Sequence, residues 1–237
     1  MTTFTRIDQK PKIRVNMEPL RFPSYIEGQV DELWTMANRK KNYNLQDNSI
    51  LVFSGYENGI IEARVCQYKY YYAQHYIPGL YSVLGLNSLA VSGVVICSEG
   101  VVLAKRGLEV LQDAGLFELV PSGSVELKDL SGQKNILEEQ LLSELEEEIG
   151  LREIDLYKVE VIGLVNDFSS HVVDVVYELR TNLSARQIKN RWNQTSMTEY
   201  VKVCVIPMVA LKILSFMLKK HFVETSRKII YKFNLKR

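Results

Sequence analysis

From residue 25 to residue 41 the apolar side chains Ile26, Val30, Leu33, Trp34 and Ala37 recur at helical spacing, which predicts an amphipathic helix. Ile13–Met17 alternates as a short strand does. Ser49–Ser54 and Ile60–Cys66 are β-rich runs around Gly55-Tyr56-Glu57-Asn58-Gly59, and the Asn-Gly step predicts a hairpin. Leu89–Ile96 and Val101–Ala104 predict a second, buried hairpin turning at Glu99-Gly100. Phe117–Val120 is a short strand ending in Pro121-Ser122-Gly123, followed by a polar loop. A helix over 135–149 comes next, then strands at Val159–Val165, Val172–Leu179 and Tyr200–Ile206, and a helix over 208–221. Strands and helices interleave while several strands are joined as hairpins. That pattern predicts an α+β fold, a mixed α/β sandwich, and not a doubly wound parallel sheet. Gly79 and Gly85 mark a boundary, dividing the chain into an N-terminal appendage (1–84), a central domain (85–207) and a C-terminal helix with a basic tail (208–237).

The helix over 135–149 carries the most specific pattern. Asn135 is a good N-cap with Glu138 three positions later, and Gly150 follows the last apolar position as a C′ residue should. Leu137, Leu141, Leu145 and Ile149 form one stripe that must face a core. Glu144, Glu147 and Glu148 stand at i, i+3 and i+4 and cluster on one flank of it, whereas Glu139 and Glu146 point away. Like charges at this spacing repel by about 0.2–0.5 kcal/mol each, and acids near a helix C-terminus oppose its dipole. Three converging carboxylates call for a compensating cation, and Mg²⁺ suits carboxylate oxygens and substrate phosphates together. A solvated acidic face is the competing explanation.

Composition sharpens this. The 237 residues are 46% hydrophobic and 24% charged with a formal net charge of +1, which excludes a disordered chain and a protein that coats nucleic acid by bulk charge. The neutrality conceals a division: residues 126–160 hold 11 acidic and 4 basic side chains, residues 212–237 hold 8 basic and 1 acidic. Cys66, Cys97 and Cys204 are far apart in apolar runs, without zinc or disulfide spacing, and read as buried thiols in a reducing compartment. There is no signal-peptide pattern and no run of membrane-spanning length, so a soluble, cytoplasmic protein is expected.

With these residues in place, the chain resembles the Nudix hydrolases, whose signature runs G-x5-E-x7-R-E-U-x-E-E-x-G-U with U aliphatic. Gly123 matches the first glycine, and SELEEEIGL matches the second half, with Glu144, Glu147 and Glu148 on the metal-binding glutamates. Ser143 stands where the family has an arginine that orients those glutamates, Asn135 stands where it has an earlier glutamate, and the intervening loop is six residues longer. AVSGVVICSEGVVLAKRG is similar to the strand pair before the box, with Arg106 on a frequent basic position. The segment NSILVFSGYENGIIEARVCQYKYYYAQHY and the following LGLNSLAV are similar to the appendage of the UDP-sugar diphosphatase-like branch.

The resemblance implies a Nudix fold with a small N-terminal α/β appendage. It implies Mg²⁺-dependent (or Mn²⁺-dependent) cleavage of a nucleoside diphosphate linked to another moiety, a nucleotide sugar being the preferred class. Glu144, Glu147 and Glu148 would hold the metal, with Glu144, Glu147 and Glu199 as catalytic residues and Asp167 a further possible supplier of a base or ligand. Gly123, Arg106 and Glu126 would meet the substrate. The partner implied is a small nucleoside diphosphate, with no membrane; nucleic acid is the less expected partner, kept open only for an RNA-processing enzyme that uses the basic tail, and a homodimer is an assembly such proteins often adopt. The alternative is a degenerate domain that binds a nucleotide or protein partner without hydrolysis, motivated by Ser143 and Asn135.

Other features have plainer readings. Tyr68, Tyr70, Tyr71, Tyr72 and Tyr76 could stack a base, but packing or an interface is the first expectation. His171 and Asp174 fall on opposite faces of an extended segment. His75 and His221 stand isolated in the sequence. The basic tail reads as a solvated end or as a segment docked within the molecule.

Overall fold

The computed structural model describes every residue except 1, 19, 40–44, 111, 128–134 and 235–237. Part of the loop after Gly123 therefore lies outside the described residues. The fold is α+β, a curled mixed sheet of eleven strands with seven helices among the described residues.

The chain opens with two strands, β1 (Thr2–Arg6) and β2 (Lys12–Asn16), and the helix α1 (Ser24–Arg39). The first expected hairpin is β3 (Ser49–Glu57) with β4 (Ile60–Gln67), and its Asn58 and Gly59 take φ of 51° and 77°, the left-handed values that a tight hairpin turn demands. Helices α2 (Tyr68–Tyr76) and α3 (Tyr81–Leu84) follow, then the second hairpin, β5 (Ser88–Cys97) with β6 (Gly100–Arg106). Short strands β7 (Phe117–Leu119) and β8 (Ser122–Ser124) lead to α4 (Ile136–Ile149). After it come β9 (Leu156–Asp167), β10 (Val172–Thr181), α5 (Ala185–Trp192), β11 (Tyr200–Ile206), α6 (Ala210–Lys219) and α7 (Glu224–Asn234).

The strands run in the order β1-β9-β10-β5-β3-β4-β2, with β6 pairing β5, β7 and β11, and β8 pairing β5. Only β10 with β5 and β2 with β4 are parallel; the other pairs are antiparallel. Every residue of β5 is buried, because the strand has layers on both faces. Its alternation sorts them: Leu89, Val91, Val95 and Cys97 join the core under α4, while Val94 and Ile96 join the core under α7. A third cluster gathers Ile26 and Val30 of α1 with Tyr71 and Ala73 of α2.

Several elements differ from the sequence expectation. β1 pairs with β9 across the sheet, from Thr2 opposite Asp167 to Arg6 opposite Gly163. The tyrosine-rich segment is the helix α2, with Tyr71 and Tyr72 buried. Most of the basic tail is the helix α7, which the sequence reading did not assign, docked through Ile229 (0% exposed) and Ile230 in line with the second of the two readings of the tail. Among the described residues no helix is long and apolar enough to cross a membrane.

Candidate active site

α4 begins and ends as its sequence dictates. The Asn135 side chain accepts from Glu138 N and donates to Glu138 Oε2 at 2.8 Å. At the other end Gly150 takes φ 70°, and its N–H donates to Glu146 O. The stripe Leu137, Leu141, Leu145 and Ile149 is wholly buried, which fixes the rotation of the helix and so the direction of its acidic flank.

The three acids of that flank meet different surroundings. Glu148 is 2% exposed. Its Oε1 accepts from the Tyr200 hydroxyl at 3.1 Å and from Ser122 N at 3.4 Å, while its Oε2 is buried with no hydrogen-bond partner. Glu144 is half-buried and accepts from Gln140 Nε2 at 2.8 Å. A Cβ at position 123 would meet the Glu144 carboxyl, so a side chain there would push that carboxyl aside. Glu147 is exposed and accepts from Ser143 Oγ at 2.8 Å.

Two further acids approach from the sheet. Glu118 of β7 is 3% exposed and pairs with Arg106 Nη1 at 2.6 Å. Arg106 Nη2 pairs with Glu199, just ahead of β11. The sequence therefore placed Arg106 and Glu199 at the site, and the structure joins them to each other. Glu126 accepts from Asn48 Nδ2 at 2.9 Å, and its backbone N–H donates to Gln140, so it borders Glu144. Asp167 is elsewhere: Ser169, Ser170 and Thr2 all donate to its carboxylate. Among the described residues no three Asp, Glu, His or Cys side chains stand close enough together to hold a metal ion as they are.

Sequence reasoning passed over Glu118, Gln140 and Tyr200. Glu118 had one signal, an acid inside the apolar run Phe117–Val120, which in a buried strand demands a partner. Tyr200 and Gln140 had none, since their roles come from neighbours remote in the chain or from the half of the helix that faces the sheet.

Burial dominates the titration of the site. It pushes the Glu144 carboxyl up to about 7, opposed by the Gln140 hydrogen bond and reinforced by Glu147, Glu199 and Glu126. Glu118 rises to about 7 because burial outweighs the pull of Arg106. Glu148 lies well above the usual carboxylate range, from burial first and then the charges of Glu118, Glu144 and Glu199. On the interior strand β10, Asp174 rises to about 6 through burial, against its hydrogen bond from Ser92. Each of these groups holds its proton to higher pH when folded than when unfolded, so the native state binds the extra protons and stability falls as pH rises through that window. The metal-free protein is expected to melt at least ~5 °C lower at pH 8 than at pH 5, at ~2–4 °C per kcal/mol for a chain of this size. Thermal unfolding in EDTA checks this; a flat profile between pH 5 and 8 would contradict the buried acid cluster.

In the aromatic helix α2, burial raises the Tyr68 hydroxyl above its usual range, with the charges of Tyr76 and Glu199 adding to the rise and Arg106 opposing it. The rings of this helix pack on one another and on α1, with Trp34 5.6 Å from Tyr72 and Tyr72 4.5 Å from Tyr76. The histidines are not all isolated: His75 and His171 have ring centroids 5.7 Å apart, and Tyr81 stacks on His171 at 3.5 Å. Asp174 points elsewhere, to Ser92 Oγ at 2.7 Å, so it forms no pair with His171.

No family model matches the chain, and no curated protein matches it. Solved structures do. The NUDIX domain of Shewanella oneidensis NrtR, solved with ADP ribose, is 19% identical over 63% of this chain and 88% of its own, with a TM-score of 0.45. The MutT protein of Methanosarcina mazei is 17% identical over 63% of this chain and 94% of its own (TM-score 0.42). A mutT/nudix family protein from Listeria innocua is 12% identical over 63% and 92% (TM-score 0.45). Two of these three structures are named as Nudix proteins. In this chain Gly123 precedes α4 and Gly150 ends it, and Glu144 and Glu148 face inward from it while Glu147 faces solvent.

Proposed function

We propose that the chain is a Nudix-type hydrolase that cleaves the diphosphate bond of a nucleoside diphosphate linked to another moiety, with a nucleotide sugar as the preferred class. The observation that carries this reading is the unpartnered Oε2 of Glu148, buried beside Glu144 at the inner end of α4. An orphaned carboxyl oxygen buried among other acids is costly unless a ligand completes it. Hard carboxylate oxygens suit Mg²⁺ or Mn²⁺, so the residues present fit the cation that the Nudix box implies. Glu144, Glu147 and Glu148 would hold it, Glu147 by turning inward from solvent. When bound, the ion supplies charge neutralisation for the diphosphate and acidifies a water.

The remaining chemistry belongs to the protein. Gly123 leaves room for the Glu144 carboxyl. Glu199, tied through Oε1 to Arg106 and one-third exposed, keeps its second oxygen free to take the proton of the attacking water. Glu126, anchored by Asn48, borders Glu144 on the substrate side.

Pure protein incubated with a panel of UDP-sugars, ADP-ribose and dNTPs plus Mg²⁺ is expected to release phosphate products, and Glu147→Gln to remove at least ~100-fold of that activity. Absence of product at high enzyme concentration sinks the reading. One observation favours a second reading, a domain that binds without hydrolysis: Glu147 faces solvent, held by Ser143. Tight nucleotide binding by calorimetry with no Mg²⁺-dependent turnover would select it.

A further inference from the structure

An arginine missing from position 143 leaves the helix carboxylates to be oriented by other means. Two of them are held locally on α4, Glu144 by Gln140 and Glu147 by Ser143. Glu148 is held from the sheet. The Tyr200 hydroxyl, whose single proton goes to its Oε1, also lies beside the Glu118 carboxyl, and Glu118 is paired with Arg106. Arg106 comes from the end of β6, Glu118 from β7 and Tyr200 from the start of β11, three strands that pair side by side. Tyr200 lies directly opposite Arg106 in the ladder.

Arg106 has little left to offer a substrate. Its side chain is 15% exposed. Nη1 is committed to Glu118, Nη2 to Glu199, and Nε donates to Gln112 O at 3.1 Å. A guanidinium engaged on all three nitrogens acts as a fixed fork, which lysine could not reproduce. Its effect on Glu148 is geometric: holding one oxygen of a buried carboxylate fixes the direction of the other, here the unpartnered Oε2.

We propose that Arg106 is a positioning residue for Glu148, acting through Glu118 and Tyr200, so that the arginine which orients the metal-binding carboxylates enters from β6 instead of from the helix. This rests on the reading that Glu148 is a metal ligand, and it replaces the substrate contact expected of Arg106 from the sequence.

The sign of one measurement separates this role from simple electrostatics. A cation near the site repels a divalent ion, so deleting Arg106 should tighten metal binding if charge were all that mattered. A positioning role predicts the reverse. Mn²⁺ is titrated calorimetrically into the metal-free full chain with no nucleotide present, and each variant is melted alongside. Arg106→Gln and Tyr200→Phe are each expected to weaken Mn²⁺ binding about 10–100-fold. The double variant is expected to be no weaker than the weaker single, because both act along one path. Unchanged or tighter Mn²⁺ binding in Arg106→Gln overturns the proposal. So does an equal loss in Glu146→Gln, whose exposed side chain reports only bulk charge. Arg106→Gln strips a buried acid of its counter-ion and could fail to fold; Tyr200→Phe, which removes a single hydroxyl, then decides, and wild-type affinity in it overturns the proposal. A wild-type chain that binds no Mn²⁺ refutes the metal-ligand reading itself, an outcome distinct from wild-type binding that the variants leave unchanged.

Discussion

Glu148→Gln is expected to lose its divalent metal and at least ~100-fold in hydrolysis, while its metal-free fold becomes more stable than the wild type above pH 7. The two effects share one cause. Glu148 is buried among Glu118, Glu144 and Glu199, and its carboxyl is pushed well above the usual range. Ionising it at neutral pH therefore costs the folded protein free energy, and that charge is what a cation would bind. Glutamine keeps the shape, and the Tyr200 hydroxyl and Ser122 N–H can still donate to its oxygen. The gain in metal-free stability is expected to be present at pH 8, above the usual carboxylate range. It should vanish near pH 4, where glutamate is protonated folded or unfolded. Calorimetric Mn²⁺ titration and thermal unfolding in EDTA at both pH values check the pair. Retained metal affinity would place the cation elsewhere.

Leu145→Ala is expected to cost about 2–5 kcal/mol of stability, the range for a fully buried leucine whose neighbours close the cavity only in part. Leu145 lies in the middle of the stripe that seats α4 on the sheet, one residue beyond Glu144 and three before Glu148. A cavity there frees the helix to shift, so Mn²⁺ affinity is expected to fall with stability although the side chain is apolar and buried in the core. Urea unfolding with the metal titration reads both. Ile154→Ala, at 85% exposure, is the control and is expected to stay within about 0.5 kcal/mol. A Leu145→Ala protein as stable as the wild type would mean that α4 is not packed as described.

These expectations draw unequally on what the chain displays. The helix at the site was readable in full: its Asn135 cap, its Gly150 stop, its leucine stripe and the angular grouping of Glu144, Glu147 and Glu148 are local properties. The two hairpins were readable for the same reason, since Asn58-Gly59 and Glu99-Gly100 state their turns. α2 was not readable as a helix, because five tyrosines in nine residues favour strands and only packing against α1 overrides that preference. β1 was also missed. With Phe4 its one large apolar side chain it carries no strand pattern of its own, and it is a strand because β9, more than 150 residues later, pairs with it. The basic tail hid a helix because its charge count drew attention away from Ile229 and Ile230, the residues that dock it.

The sequence by itself determined which acids share a flank of α4, because a helix turns about 100° per residue whatever surrounds it. It also determined that this flank lacks an arginine, since that is a matter of the letter at position 143. Only the tertiary structure decided that Glu148 is buried with one oxygen unpartnered, Glu144 half-buried and Glu147 exposed, and that the positive charge comes from Arg106 on another strand. The reason is that spacing along a helix sets direction, whereas desolvation and ion pairing depend on what stands opposite. Here that is β8 and β11, which hold Ser122 and Tyr200 against Glu148 and come from either side of the helix in the sequence.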